Sequence, residues 1–203
     1  MENNFHFRSK ISREEIALLP RRKFIGEIFY IDSREALIEF LPEIREEKIL
    51  GFDTETRPAF KKGIMNEVAL LQLSSSQQAF LFRLNRIGLP EELVSILIDP
   101  SVVKTGVAIH DDIAALQKLN NFRAEGFIDL QDYVKEFGIE DKGLKKLTAN
   151  VLGFQISKRQ QTSNWEMENL SRSQIEYAAT DAWVCYEIYM QLLKAKRYNG
   201  QRR

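Results

Sequence analysis

"ILGFDTE", residues 49–55, is an apolar run that ends on two carboxylates. Side chains of a strand alternate between its faces, so Ile49, Gly51, Asp53 and Glu55 share one face and Leu50 and Phe52 the other. Asp53 and Glu55 therefore point the same way from the end of a strand whose other positions suit burial. Like charges at that spacing repel, which raises a pKa or calls for a cation. Taken alone, Asp-x-Glu is a weak signal: with 29 acidic residues in the chain, a strand running out into a polar loop gives the same letters. The flanking segments decide what it belongs to.

Downstream, "EVALLQLS" (67–74) is nearly continuous in apolar residues, as a central strand is, and with "QAFLFRL" (78–84) it predicts a hairpin. "FIGEIFYI" (24–31) and "VVKTGVAI" (102–109) read as further strands. Helices are expected over 33–48 despite Pro42, over 90–98 and over 111–119, with a short one at 12–18 stopped by Pro20. From residue 126 the chain reads as mostly helical, broken by the loop "FQISKRQQTSNW" (154–165). A long last helix opens near Ser171, where Ser171 and Gln174 have capping-box spacing. Strands first, then strand–helix alternation and a helical C-terminal third, predict an α/β fold with a mixed β-sheet flanked by helices. The expected organisation is an N-terminal arm (1–23), one domain (24–198) and a basic tail (199–203).

Hydrophobic residues at 44% and charged residues at 29% are ordinary for a soluble globular chain. No run of 18 apolar residues occurs, so no membrane span is expected. The start, "MENNFHFRSKISREE", lacks a basic stretch followed by an apolar one, so an intracellular, cytoplasmic location is expected. The single cysteine, Cys185, cannot form an internal disulfide and reads as a buried spectator in the last helix. Lys plus Arg and Asp plus Glu both number 29, so net charge neither favours nor excludes a polyanionic partner. Basic residues do recur in groups: Arg21 to Lys23, Lys61 and Lys62, Lys142 with Lys145 and Lys146, Lys158 and Arg159, and the C-terminal tail. Each reads as solvated surface unless the fold gathers several into one cleft.

Two further acidic sites matter. In "IHDDIAAL" (109–116), Asp111 suits a first-turn cap or a partner for the helix dipole, whereas Asp112, a turn before Ala115 and Leu116, looks toward the sheet. In "YAATDAWVCYEIY" (177–189), Asp181 falls in an apolar row with Val184, Cys185 and Ile188, where a carboxylate is costly unless a cation satisfies it. Tyr177 lies one turn before, on the same face. Hard oxygen ligands without a fitting histidine or thiolate suit Mg²⁺ or Mn²⁺ rather than Zn²⁺. His6, in the arm, and the lone His110 read as structural or surface residues.

"FDTET", "EVALLQL", "TGVAIHDDIAAL", "SNW" and "YAATDAWV", in this order and spacing, resemble the DEDD superfamily of 3′–5′ exonucleases, tyrosine subclass. The Werner-syndrome-type exonuclease domain is the nearer likeness and ribonuclease D a further one, over roughly residues 24–195. The resemblance implies a ribonuclease H-like fold. It implies that Asp53, Glu55, Asp112 and Asp181 are the four metal-binding carboxylates and that Tyr177 is the catalytic tyrosine. The sister subclass has a histidine five residues before the last acid, where this chain has Glu176. Two ions, Mg²⁺ or Mn²⁺, are implied, with Asp53 bridging both, Glu55 and Asp181 holding one and Asp112 the other. The implied partner is the 3′ end of DNA or RNA; which of the two, and the oligomeric state, stay open. Arg57, Lys61, Lys62, Lys158 and Arg159, in loops near the first and third motifs, are the residues expected to hold phosphates. Phe52, Thr54 and Leu71 read as core or strand residues that help shape the pocket, and Trp165 as a packing anchor for the last helix. No motif position is lost, so an active enzyme is expected. The alternative is a non-catalytic nucleic-acid-binding or protein-interaction module on the same fold.

Overall fold

In the computed structural model, residues 5–58 and 66–200 are described. Six strands, β1 (Glu27–Ile31), β2 (Ile49–Thr56), β3 (Val68–Ser74), β4 (Gln78–Phe82), β5 (Val103–Gly106) and β6 (Phe127–Asp129), form one sheet in the order β1-β4-β3-β2-β5-β6. The hairpin pairs β3 antiparallel to β4 and to β2, while β1 with β4, β2 with β5 and β5 with β6 are parallel. β3 therefore runs against all its companions, and β2 sits inside the sheet between β3 and β5. This is the mixed sheet that the sequence predicts.

Alternation along the strands sorts the core into two layers. Leu50, Phe52, Leu71, Leu73, Phe80 and Phe82 pack on one face. There they meet α2 (Arg34–Glu46), which runs through Pro42, α3 (Leu84–Ile87), α4 (Glu91–Leu97) and α5 (His110–Leu119). Ile49, Leu70, Ala79 and Leu81 look the other way, onto α8 (Arg172–Gly200) and the helices that precede it. At about 1.5 Å per residue, α8 is a rod of about 44 Å that crosses the sheet. It opens as its sequence predicts: Gln174 Oε1 accepts the Ser171 N–H at 3.0 Å and Ser171 Oγ accepts the Gln174 N–H at 3.3 Å.

Several elements differ from expectation: β5 ends at Gly106 rather than at 109, and Leu84, expected to close the second hairpin strand, opens the short helix Leu84–Ile87. β1 begins at Glu27 rather than at 24, because Phe24 turns into the α8 layer and its N–H donates to Thr180 Oγ1. Residues 127–129, expected within a helical stretch, form the edge strand β6. Three residues are too few to display the period-two pattern that marks a strand. The helical C-terminal third then follows as α6 (Leu130–Tyr133), a 3₁₀ turn (Val134–Phe137), α7 (Leu144–Leu147) and a π turn (Thr148–Leu152).

The arm lies against this third. α1 (Arg13–Leu18) carries a complete Ser12–Glu15 capping box. The Ile11 N–H donates to the buried Asp141 carboxylate at 2.8 Å. Farther on, the backbones of Pro20 and Arg22 pair with that of Gln155. Among the described residues no helix is long and apolar enough to cross a membrane.

Candidate active site

The site begins where α8 meets β2. A Cβ on Gly51 would overlap the Ala182 carbonyl, so the α8 backbone rests directly on that strand position. Contact this close fixes Asp181, one residue earlier on α8, beside Asp53, two residues farther along the same face of β2. Asp53, Glu55 and Asp181 present carboxylate oxygens that all lie within 4.8 Å of one another.

Asp112 arrives from the other layer. Thr54 shares the Phe52 face of β2, and its hydroxyl donates to Asp112 Oδ1 at the start of α5. The turn that aims α5 is held by a residue the sequence analysis passed over. Asp129, at the end of β6, accepts the N–H groups of Ala108 (3.1 Å), Ile109 (3.2 Å) and Gln131 (2.8 Å). Ala108 is the only non-glycine residue among those described with a positive φ, 58°, a conformation that persists only where neighbours enforce it. A carboxylate that caps the following helix was the available signal. Asp111 does not cap α5: Ile109 holds that position, and the Asp111 side chain is exposed in the first turn, where its charge still complements the helix dipole.

Burial above all raises the carboxyl groups of the cluster, with repulsion added at Asp53 and Glu55. Burial, with the Asp181 and Asp112 charges, holds the Asp53 carboxyl far above the ordinary carboxylate range. Burial and then the charges of Asp53, Asp181 and Asp112 push Glu55 up to about 10. Asp181 rises to about 7 through burial, offset in part by the Tyr177 hydroxyl and the Lys158 charge. Asp112 is raised by burial, against which its bond from Thr54 acts. Asp181 Oδ1 is buried without a hydrogen-bond partner among the described residues.

The folded state thus binds protons here more tightly than the unfolded chain does. That contribution is present below the unfolded carboxylate range and is lost as pH rises through about 7 for Asp181 and about 10 for Glu55. The Tm of metal-free protein is accordingly expected to fall from about pH 5 to about pH 9. Added Mn²⁺ should raise it most at the alkaline end; differential scanning fluorimetry with and without EDTA reads both trends.

A 3′–5′ exonuclease family model matches residues 28–196. The chain belongs to the 3′–5′ exonuclease family. It is 31% identical to a 3′–5′ exonuclease of Arabidopsis thaliana over 91% of this chain and 70% of that protein. It is also 34% identical, over 86% of its length, to the mouse bifunctional 3′–5′ exonuclease/ATP-dependent helicase WRN, of which it spans 13%. The EXO domain of Aedes aegypti Nibbler superposes with a TM-score of 0.76 at 25% identity, covering 85% of this chain and 91% of that one. The ribonuclease H-like exonuclease architecture expected from the motifs is thereby shown, as are action on nucleic acid and dependence on metal at the level of the family.

Within this exonuclease the remaining expectations fall out as follows. Tyr177 is buried between the acidic cleft and an adjoining one. Burial, then the charges of Asp181 and Glu55, drive its phenol upward, so it stays protonated. Trp165 is fully buried and packs against Tyr177, 6.0 Å between ring centroids, as expected of an anchor for α8. Phe52 and Leu71 are core, and Thr54 lines the cleft. Cys185 lines it too, its thiol pushed up by burial.

The basic residues divide. Arg57 is paired with Glu166 at 3.2 Å and does not line the acidic cleft. Arg159 joins Arg22 and Lys23 around the adjoining cleft, and Lys158 lines a separate groove. Lys61 and Lys62 lie outside the described residues. Sequence reasoning also missed Gln131 and Gln161, which line the acidic cleft, and Gln72, whose buried amide has no partner among the described residues. Gln72 pairs in register with Asp53, and that partnership follows from strand pairing rather than from any local pattern.

Proposed function

We propose that this exonuclease removes 5′-mononucleotides one at a time from the 3′ end of a DNA or RNA strand, using two divalent cations, Mg²⁺ or Mn²⁺. The observation that carries this reading is the convergence of Asp53, Glu55 and Asp181 within 4.8 Å, with a buried Asp181 oxygen left unpartnered. Carboxylates so placed cannot all ionise together unless cations offset their repulsion. An all-oxygen donor set fits the hard ions. Asp53 would touch both ions, Glu55 and Asp181 would hold one, and Asp112 would hold the other. Bound there, the ions would supply charge neutralisation at the phosphate and a water of lowered pKa.

The protein's own groups do the rest. Asp112 keeps its direction through Thr54, and Asp181 through the contact of α8 on Gly51. Tyr177, protonated, donates toward Asp181 and orients the attacking water; a phenol raised above its ordinary pKa is no general base. The water oxygen bonds to phosphorus as the P–O3′ bond breaks. The water gives up a proton to solvent and the 3′-oxygen takes one from solvent, leaving as the hydroxyl of the shortened strand, while the phosphate departs on the 5′ carbon of the released nucleotide.

A 5′-labelled oligonucleotide should give a descending ladder and 5′-mononucleotides with Mg²⁺ or Mn²⁺, and no ladder with EDTA. Comparable cutting of a circular single strand would contradict the direction assigned. A 3′-recessed duplex, single-stranded DNA and RNA run side by side assign the preferred substrate.

A further inference from the structure

Beside the acidic cleft, the fold assembles a second concavity from basic groups that are far apart in sequence. A groove of about 420 Å³ is lined by Arg13 of α1, Lys142, Lys145 and Lys146 around α7, and Lys158 from the loop before α8. Its other lining residues are Ile16 and Gly143, and no acidic side chain contributes among the described residues. Several other surface cations are neutralised in place, as in Arg8–Glu15, Lys10–Glu140, Lys23–Glu176 and Arg34–Glu92. Here Arg13, Lys142, Lys145 and Lys158 have no side-chain hydrogen bond or ion pair with any described residue. Gathering like charges without counter-charges is unfavourable, and a bound polyanion reverses that sign.

Lys146 is the exception, and it explains why the groove is built rather than accidental. It pairs at 3.2 Å with Asp141 Oδ1, while Oδ2 of the same buried carboxylate accepts the Ile11 N–H. One carboxylate therefore ties the arm to the α7 segment and sets Arg13 across from Lys142 and Lys145. The groove also adjoins the acidic cleft. Gly143 lines both the groove and the acidic cleft, and the Lys158 charge reaches Asp181. Open space lies where a Gly143 side chain would stand, so no side chain at this shared position intrudes on either concavity. Among the described residues no aromatic ring lines the groove, and so none of them offers a platform for base stacking there.

We propose that this groove holds the phosphodiester backbone of the substrate strand on the 5′ side of the scissile linkage, making affinity depend on strand length and salt but not on base sequence. The inference rests on the exonuclease reading for the identity of the strand. Its test uses the triple variant Arg13→Gln/Lys142→Gln/Lys145→Gln. Lys146 is spared because it anchors the arm, and Lys158 because it acts at the acidic cleft.

Fluorescence anisotropy with a labelled single-stranded oligonucleotide in EDTA measures binding without cleavage. The variant should bind about tenfold more weakly at about 0.1 M salt, and the slope of log affinity against log salt should drop by about 2, near 0.7 for each cation lost. Arg13→Lys/Lys142→Arg/Lys145→Arg should restore both. With Mn²⁺, the variant should show a raised KM and unchanged kcat on long strands. It should hydrolyse the p-nitrophenyl ester of thymidine 5′-monophosphate, too short to reach the groove, at the wild-type rate. Wild-type affinity and salt slope in the variant would overturn the proposal, as would equal losses on ester and strand. A wild-type protein that binds strands through the groove yet cleaves none would leave the groove standing and remove the exonuclease reading instead.

Discussion

Replacing Asp53 by alanine is expected to lower single-turnover hydrolysis of a 3′ end at least about a thousandfold, a loss of about 4 kcal/mol of transition-state stabilisation. Asp53 lies at the centre of the acidic group: its carboxyl feels both Asp181 and Asp112, and it in turn raises Glu55. In the proposed mechanism it is the one ligand common to both ions, so its removal disturbs both at once. The fold should survive. Asp53 is partly buried among like charges, and taking one away relieves repulsion rather than opening a cavity under the sheet. The Tm of metal-free Asp53→Ala should therefore equal or exceed that of the wild type, even as activity collapses. Retention of more than about a tenth of the rate, under about 1.4 kcal/mol, would mean that the metal site is misassigned.

The second large effect separates two residues on one face of α8. Asp181→Asn keeps the shape of the side chain and removes its charge. As a ligand position, it should abolish hydrolysis as thoroughly as the loss of Asp53. Tyr177→Phe keeps the ring packed against Trp165 and removes only the hydroxyl. One orienting hydrogen bond is worth roughly 1.5 to 3 kcal/mol, so the rate should fall about ten- to a hundredfold while Mn²⁺ binding stays near wild type. Mn²⁺ titration beside single-turnover hydrolysis distinguishes the two variants. A wild-type rate in Tyr177→Phe would reduce Tyr177 to a core aromatic.

Those positions were legible because each violates a local pattern. Asp53 and Glu55 stand on the inward face of a strand, and Asp181 interrupts an apolar helical row. What the sequence could not display is register across elements. Thr54 meets Asp112 only because α5 starts over the end of β2, and Asp129 reaches the α5 turn only through the short edge strand β6. Arg57 looked free beside the first motif, yet its partner, Glu166, is 109 residues away. Conversely, Lys142 and Lys145 read as solvated surface until the arm and α7 came together with Lys158, already expected to hold phosphate, in one groove.

Calorimetric titration of Mn²⁺ into the wild type and Asp53→Ala, with hydrolysis of a 5′-labelled strand followed in the same preparations, tests the assignment of the acidic cleft most directly. Saturable binding in the wild type, loss of that binding in Asp53→Ala, and a rate that climbs with Mn²⁺ occupancy are expected. Unchanged binding in Asp53→Ala, or undiminished cleavage by the wild type in EDTA, would contradict it.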